Sequence, residues 1–322
     1  MAKSQLNESK KLKKKLKKER KYTVENIKKD FRRNYSIYLI LAPIIIYYIL
    51  FNYAPMYGAV IAFKDYTPAK GILGSPWAGM KYFIQFFSSE YFWQTFRNTF
   101  IISIYSIIFC FPAPIILALL LNEVRCSWFK RSVQTLSYLP HFISMVVICG
   151  LIRIFVASNG LISQIGSFFG IPPTNLLMRK ECFRAIYIIS GLWQGIGWDS
   201  IIYLAALAGV DRELYDAAVV DGAGRFKQTL HITIPGIMPT IAVLAILRMG
   251  GILSANGEKV ILLYNSLNRE TADVIGSFTY RKGLVEQNYS YSSAVGLLLS
   301  VINFIFITAT NKLSKKVGYN LW

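Results

Sequence analysis

Charged side chains are scarce in this chain of 322 residues. They make up 16%, while hydrophobic residues reach 54% and aromatics 15%. A soluble domain carries roughly 25% charged residues. The shortage excludes an ordinary soluble protein and indicates one embedded in a membrane. Histidine is scarcer still, with only His141 and His231, which leaves little material for a His-based metal site or a Ser-His-Asp triad. No Gly-Lys dipeptide occurs. A phosphate-binding P-loop is therefore excluded, and the chain cannot itself be an ATPase. No pair of carboxylates falls within an apolar run, which argues against a proton relay. The four cysteines, Cys110, Cys126, Cys149 and Cys182, have no Cys-x-x-Cys spacing, so neither a disulfide framework nor a metal site is indicated. Nothing in the sequence points to catalysis or to a cofactor bound by this chain.

What is present is a series of long apolar runs. A membrane-spanning helix needs about 20 mostly apolar residues. Six runs qualify: Ile37–Phe63, Thr99–Leu121, Val133–Ala157, Ala185–Ala208, Ile237–Ser254 and Ser293–Ala309. The runs are continuous rather than alternating, so helices are expected rather than barrel strands. The predicted fold is all-α, with six transmembrane helices spanning residues 36–322, preceded by a basic tail over residues 1–35.

The net charge of +19 is distributed along the chain in a way that argues for lipid rather than nucleic acid. Fourteen Lys/Arg lie in residues 1–35, and three each lie in Asn122–Ser132, Gly209–Gly236 and Thr310–Trp322. If the spans alternate, these segments share one side. The loops on the opposite side hold ten in all. Positive charge collects on the cytoplasmic side, which places both termini and the 209–236 loop there. The tail is too long and too basic for a cleavable signal peptide. Its Lys10–Lys18 run, with leucines four apart, either fixes topology as a solvated tail or lies as an amphipathic helix on anionic lipid.

The loop Tyr215–Pro235 reads as a folded unit. Asp211 can cap a helix and Glu213 favours its first turn. That helix would run to about Asp221, where Gly222 and Gly224 break it. A second helix, about Arg225–His231, is expected to end before Pro235, because the residue preceding proline avoids helical angles. Ala217 and Ala218 leave one side flat enough for close packing. Bulk at Gly222 is expected to clash in the turn. Such a hairpin is either a docking element for a groove on a partner or a simple return elbow between spans.

These residues resemble the cytoplasmic signature of binding-protein-dependent ABC importers, which reads Glu-Ala-Ala, three residues, Gly, nine residues, Ile-x-Leu-Pro. Here the pattern is Asp216-Ala217-Ala218, three residues, Gly222, nine residues, Ile232-Thr-Ile-Pro235. The spacing matches without a gap, with Asp for Glu and Ile for Leu. Asp221-Gly222-Ala223 is similar to the carbohydrate-importer branch. Asp65-Tyr-Thr-Pro, Ser75-Pro-Trp, Trp193 with Gly197-Trp198, and Tyr203-Leu-Ala-Ala-Leu resemble a subgroup that imports complex oligosaccharides. The resemblance implies a type I importer permease fold and a second, homologous permease subunit forming a heterodimer. It also implies two ATPase subunits that bind ATP-Mg beneath the loop, and an extracytoplasmic sugar-binding protein. It assigns coupling to Asp216, Ala217, Ala218, Asp221, Gly222, Ala223, Phe226, Ile232 and Pro235.

Candidate substrate-pathway residues are Arg153, Trp193, Trp198, Asp199, Arg248 and Asn256. Charges at such depths usually face a bundle interior or a wet cavity. Each arginine either snorkels, bonds to carbonyls or pairs with Asp199, or else lines an outer vestibule that favours acidic sugars through its planar fork. Gly191-Leu-Trp-Gln-Gly195 either lets helices approach closely or, with Gly197 and the two tryptophans, leaves room for a sugar ring. The loop Ala255–Ser292 is expected to be partly helical and packed on a partner. Two rival functions would dispense with the docking loop. A secondary carrier would show internal repeats and midplane ionisable groups, and a polytopic enzyme of glycan metabolism would need an acid–base pair.

Overall fold

The structure, a computed structural model, describes residues 24–255, 257–316 and 318. The Lys10–Lys18 run and Asn256 lie outside the described residues. The chain divides into two units, Met1–Ala59 and Val60–Trp322.

The first unit holds the helices α1 (Val24–Arg33) and α2 (Tyr35–Tyr48). Asp30 accepts hydrogen bonds from Asn34 Nδ2 at 2.8 Å and from the Tyr38 hydroxyl at 2.7 Å, which ties the junction together. α2 has no buried residue. Its apolar side chains point outward on every side, as a helix in lipid requires.

The second unit is built from α3 (Lys81–Phe87), α4 (Glu90–Tyr105), α5 (Pro112–Glu123), α6 (Ser127–Tyr138), α7 (Met145–Phe155), α8 (Leu161–Phe168) and α9 (Phe183–Ala208). These are followed by α10 (Arg212–Val220), α11 (Arg225–Gln228), α12 (Ile234–Met249), α13 (Gly257–Leu263), α14 (Arg269–Ala272), α15 (Ile275–Tyr280) and α16 (Tyr289–Lys316). Among the described residues, four helices are long and apolar enough to cross a membrane: Tyr35–Phe63, Glu90–Glu123, Arg225–Met249 and Tyr289–Lys315. The 26 residues of α9 extend about 39 Å at 1.5 Å per residue, long enough to span, although Arg184, Gln194 and Asp199 lower its apolar character.

The expected third span, Val133–Ala157, is broken. Its halves, Ser127–Phe142 and Met145–Phe155, meet at 104°. The α-helix of the first half stops at Tyr138, just before Pro140, and a short 3-10 turn, Leu139–Phe142, completes it. Ser144 then starts the second as an N-cap, its side chain accepting from the Val147 amide at 3.4 Å. A continuous run of apolar side chains conceals this corner, because hydrophobicity alone carries no record of backbone direction.

Gly197 sets how closely α6 and α9 approach. A Cβ there would lie 2.2 Å from the Ser137 carbonyl oxygen. Helix contact thus runs through Gly197 rather than through the Gly191/Gly195 pair. The main core gathers Ile102, Ile148, Ile152, Phe183, Ile188, Val260, Leu263 and Val274. The 255–292 segment is partly helical, as expected, but its apolar side chains enter this chain's own core. Asn265 and Asn268 anchor it by donating to the Leu177 carbonyl at 2.9 and 2.8 Å.

Candidate functional site

The 209–236 segment forms a hairpin of two helices. Asp211 caps α10, its carboxylate accepting from the Glu213 amide at 3.0 Å. At the far end the Ala223 amide bonds the Ala218 carbonyl at 2.8 Å and the Gly222 amide bonds the Val219 carbonyl at 3.0 Å. This pairing is the Schellman stop, and it needs a left-handed residue. Gly222 supplies it with φ +73°. A Cβ at Gly222 would meet nothing within 4 Å. A first side-chain carbon there does not clash, which differs from the sequence expectation; its cost comes from the left-handed backbone angle.

The return helix does not end before Pro235. It runs continuously from Arg225 to Met249. A π-turn at Thr229–Thr233 precedes the proline. That wider turn relaxes the i−4 register where the Pro235 ring would otherwise clash with a carbonyl and where no amide hydrogen is available. Gln228 Nε2 donates to the Ala223 carbonyl at 2.8 Å, and the Tyr215 hydroxyl meets Thr233 Oγ1 at 2.9 Å, bracing the two arms. Arg225 pairs with Glu123 at 3.3 Å.

The exposed surface of the hairpin carries large apolar side chains among its charged ones. Leu214, Val219, Val220 and Phe226 are exposed, Val220 to 87% and Phe226 to 81%. Asp216, Ala217 and Asp221 are also exposed; Ala218, Ala223 and Ile232 are half-buried and Pro235 is exposed. The signature spacing located this surface, but it did not single out Leu214, Val219 or Val220.

The second region is a polar tract between α9, α12 and α13. One cavity of about 290 Å³ is lined by Cys110, Asp199, Tyr203, Leu247 and Arg248 among others. Another, of about 140 Å³, is lined by Ser106, Tyr187, Gln194, Asp199, Arg248 and Lys259 among others. A third, of about 490 Å³, includes Ser106, Tyr187, Arg248 and Ser254. All three share Arg248. Asp199 and Arg248 line the same two cavities with no ion pair between them among the described residues. Lys259 is 3% exposed. Its Nζ donates to the Tyr187 carbonyl at 2.9 Å and sits 4.7 Å from the Tyr187 ring centre.

The other sequence candidates fall elsewhere. Arg153, at the end of α7, donates through Nη2 to the Leu262 carbonyl, in the last turn of α13. There it satisfies an end carbonyl and complements the helix dipole, and it does not line the tract. Trp198 stacks on His141 with ring centres 4.4 Å apart and planes 3° apart, flanked by Phe142. Trp193 lines a separate apolar cavity of about 590 Å³ with Leu151, Ile152 and Phe155. The structure therefore brings together Asp199 and Arg248 but neither tryptophan nor Arg153. Lys259 was missed because its local sequence, Gly-Glu-Lys-Val, reads as a polar loop, and only tertiary packing buries it.

With this geometry in place, comparison with known proteins fixes the family. Residues 110–319 match the family described as binding-protein-dependent transport system inner membrane component. The chain is 45% identical over 283 residues to the polygalacturonan/rhamnogalacturonan transport system permease protein YteP of Bacillus subtilis, covering 88% of each. It is 43% identical to protein LplB of the same organism, covering 88% of this chain and 90% of that one. A crystal structure of a bacterial ABC transporter involved in the import of the acidic polysaccharide alginate aligns with a TM-score of 0.84 at 40% identity. That alignment covers 91% of this chain and 99% of the other. The chain belongs to the inner membrane components of binding-protein-dependent transport systems, the non-catalytic permease subunits of ABC importers.

Proposed function

We propose that this permease moves acidic oligosaccharides, of the uronate-containing kind, across the cell membrane by alternating access. The observation that carries this reading is the position of Arg248 where three cavities meet, with Lys259 in the wall of one of them. Two cations face a single carboxylate, Asp199, and a guanidinium suits a sugar carboxylate because it can bind both oxygens. The names of the similar proteins support the same chemistry: polygalacturonan and rhamnogalacturonan in one, alginate in another.

The working assembly we infer pairs this chain with a second, homologous permease. Two ATPase subunits carrying ATP-Mg dock on the 209–236 hairpin at the cytoplasmic face, where both termini also lie. A sugar-binding protein delivers substrate from outside; the solved alginate transporter is in complex with a periplasmic protein bound to an alginate pentasaccharide. The exposed apolar side chains of the hairpin suit burial in an ATPase groove.

The test is uptake into proteoliposomes holding the full assembly and its binding protein, with an oligogalacturonate and a neutral oligosaccharide of equal length. Arg248→Gln is expected to lower acidic-sugar uptake about 10- to 100-fold more than neutral-sugar uptake, the range for a lost charge-assisted hydrogen bond. Arg153→Gln, which removes a helix-end contact, should affect both sugars equally. Equal losses for Arg248→Gln would sink the acidic-sugar reading.

A further inference from the structure

At the ends of α4 and α9 remote from the 209–236 hairpin lies a cavity of about 310 Å³ lined by Trp93, Gln94, Arg97, Asn98, Arg184 and Glu270, with Thr271 at its edge. It shares no lining residue with the polar tract. Asn98, 2% exposed, organises one wall. Its Nδ2 donates to the carbonyls of Glu270 at 2.8 Å and Asp273 at 3.0 Å. Its Oδ1 accepts from Arg184 Nη2 at 2.9 Å, which fixes the guanidinium against the cavity. Arg184 Nε is buried with no hydrogen-bond partner, and buried N–H donors are rarely left so. Glu270 is engaged by Lys180 at 2.8 Å. Among the described residues, no carboxylate lies within ion-pair distance of Arg97 or Arg184. Two guanidinium groups therefore share one cavity with a single carboxylate, Glu270, which Lys180 already engages, and Arg184 keeps one buried donor unpaired.

Position indicates the anion. Arg97 stands two residues before the apolar run Thr99–Leu121, and Arg184 one residue before Ala185–Ala208. Both lie where hydrocarbon gives way to headgroups. Trp93, one helical turn before Arg97, is 71% exposed, as expected of an aromatic at the membrane interface. Phe100 on α4, and then Ile108 in the π-turn Ser106–Cys110 that follows it, are exposed. They continue Trp93 and Arg97 as an apolar lane of the kind an acyl chain would cover. A free anion or a sugar carboxylate would have no use for that lane. We propose that the Arg97–Arg184 cavity binds the phosphate of an anionic phospholipid, whose chain lies along the exposed side of α4.

The assembled transporter, purified in mild detergent, is examined by native mass spectrometry with phosphatidylglycerol added back. Wild type is expected to retain one tightly held phosphatidylglycerol at this site. Arg97→Gln, which leaves the Asn98–Arg184 bond in place, should weaken retention about tenfold, and Arg97→Lys should restore most of it. Undiminished retention in Arg97→Gln, or no retained lipid in the wild-type assembly, overturns the proposal. Displacement of the lipid by inorganic phosphate alone or by an oligogalacturonate also overturns it, since either would make this a soluble-anion or sugar site.

Discussion

Replacing Gly197 by alanine tests the close contact between α6 and α9. The added methyl would sit 2.2 Å from the Ser137 carbonyl oxygen and 2.4 Å from its carbon, where ordinary contact begins at 3.4 Å. Both atoms are backbone, so no side chain can swing aside, and α6 and α9 must part by about 1 Å. Overpacking of this kind costs about 1–3 kcal/mol, and a clash with main chain belongs at the upper end. Two neighbours serve as controls. A methyl at Gly195 would meet Asp199 Oδ2 at 3.5 Å, an ordinary contact, and one at Gly224 would meet nothing within 4 Å. Thermal unfolding of the detergent-purified protein is the assay. Gly197→Ala should melt several degrees below wild type, and Gly195→Ala and Gly224→Ala close to it. Equal melting of Gly197→Ala and Gly195→Ala would refute the close approach of the two helices.

Other outcomes follow from particular contacts. Gly222→Val should cost roughly 1–2 kcal/mol because a β-branched residue resists the left-handed angle, whereas Gly222→Asn, which tolerates it, should preserve the hairpin; protease sensitivity of the 209–236 segment separates them. In the loop after the first span, Asp65 accepts from Lys81 Nζ at 2.8 Å and the Tyr82 hydroxyl at 2.6 Å. The Lys81 bond, then the Tyr82 bond, holds its carboxyl below the usual range. A lowered carboxyl contributes stability above the unfolded value of about 3.9 and loses it as pH falls through the folded value. Asp65→Asn should therefore speed hydrogen exchange in residues 64–81 at pH 7, and the difference from wild type should shrink as pH falls below the unfolded value and the carboxylate is protonated.

The legible parts of the molecule were those written in local chemistry. The 216–235 spacing, the Asp211 cap and the Gly222 stop are properties of a few consecutive residues, and the structure reproduces the cap and the stop. Asp199 and Arg248 stood out because charge within an apolar run is costly. The parts that were not legible depend on distant partners. The corner at Pro140 hides inside an apolar run. Pro235 continues a helix because a π-turn absorbs it, a compensation that the rule about residues before proline does not contain. Lys259 and Arg184 gain their meaning from Tyr187 and Asn98, which lie 72 and 86 positions away in sequence. Trp193 and Trp198 have an aromatic character that suits a sugar, but Trp193 lines a separate apolar cavity and Trp198 stacks on His141.

The central claim is that the exposed hairpin surface joins this permease to its ATPase. Phe226 isolates it, since a side chain 81% exposed contributes little to the fold of this chain. The decisive measurement is co-purification of the ATPase with wild type and with Phe226→Asp from the same membranes, together with sugar-stimulated ATP hydrolysis. Wild type should carry the ATPase and hydrolyse ATP in response to sugar-loaded binding protein, while Phe226→Asp, at unchanged abundance, should lose both. Retention of the ATPase and full stimulation by Phe226→Asp would contradict the assignment of this surface.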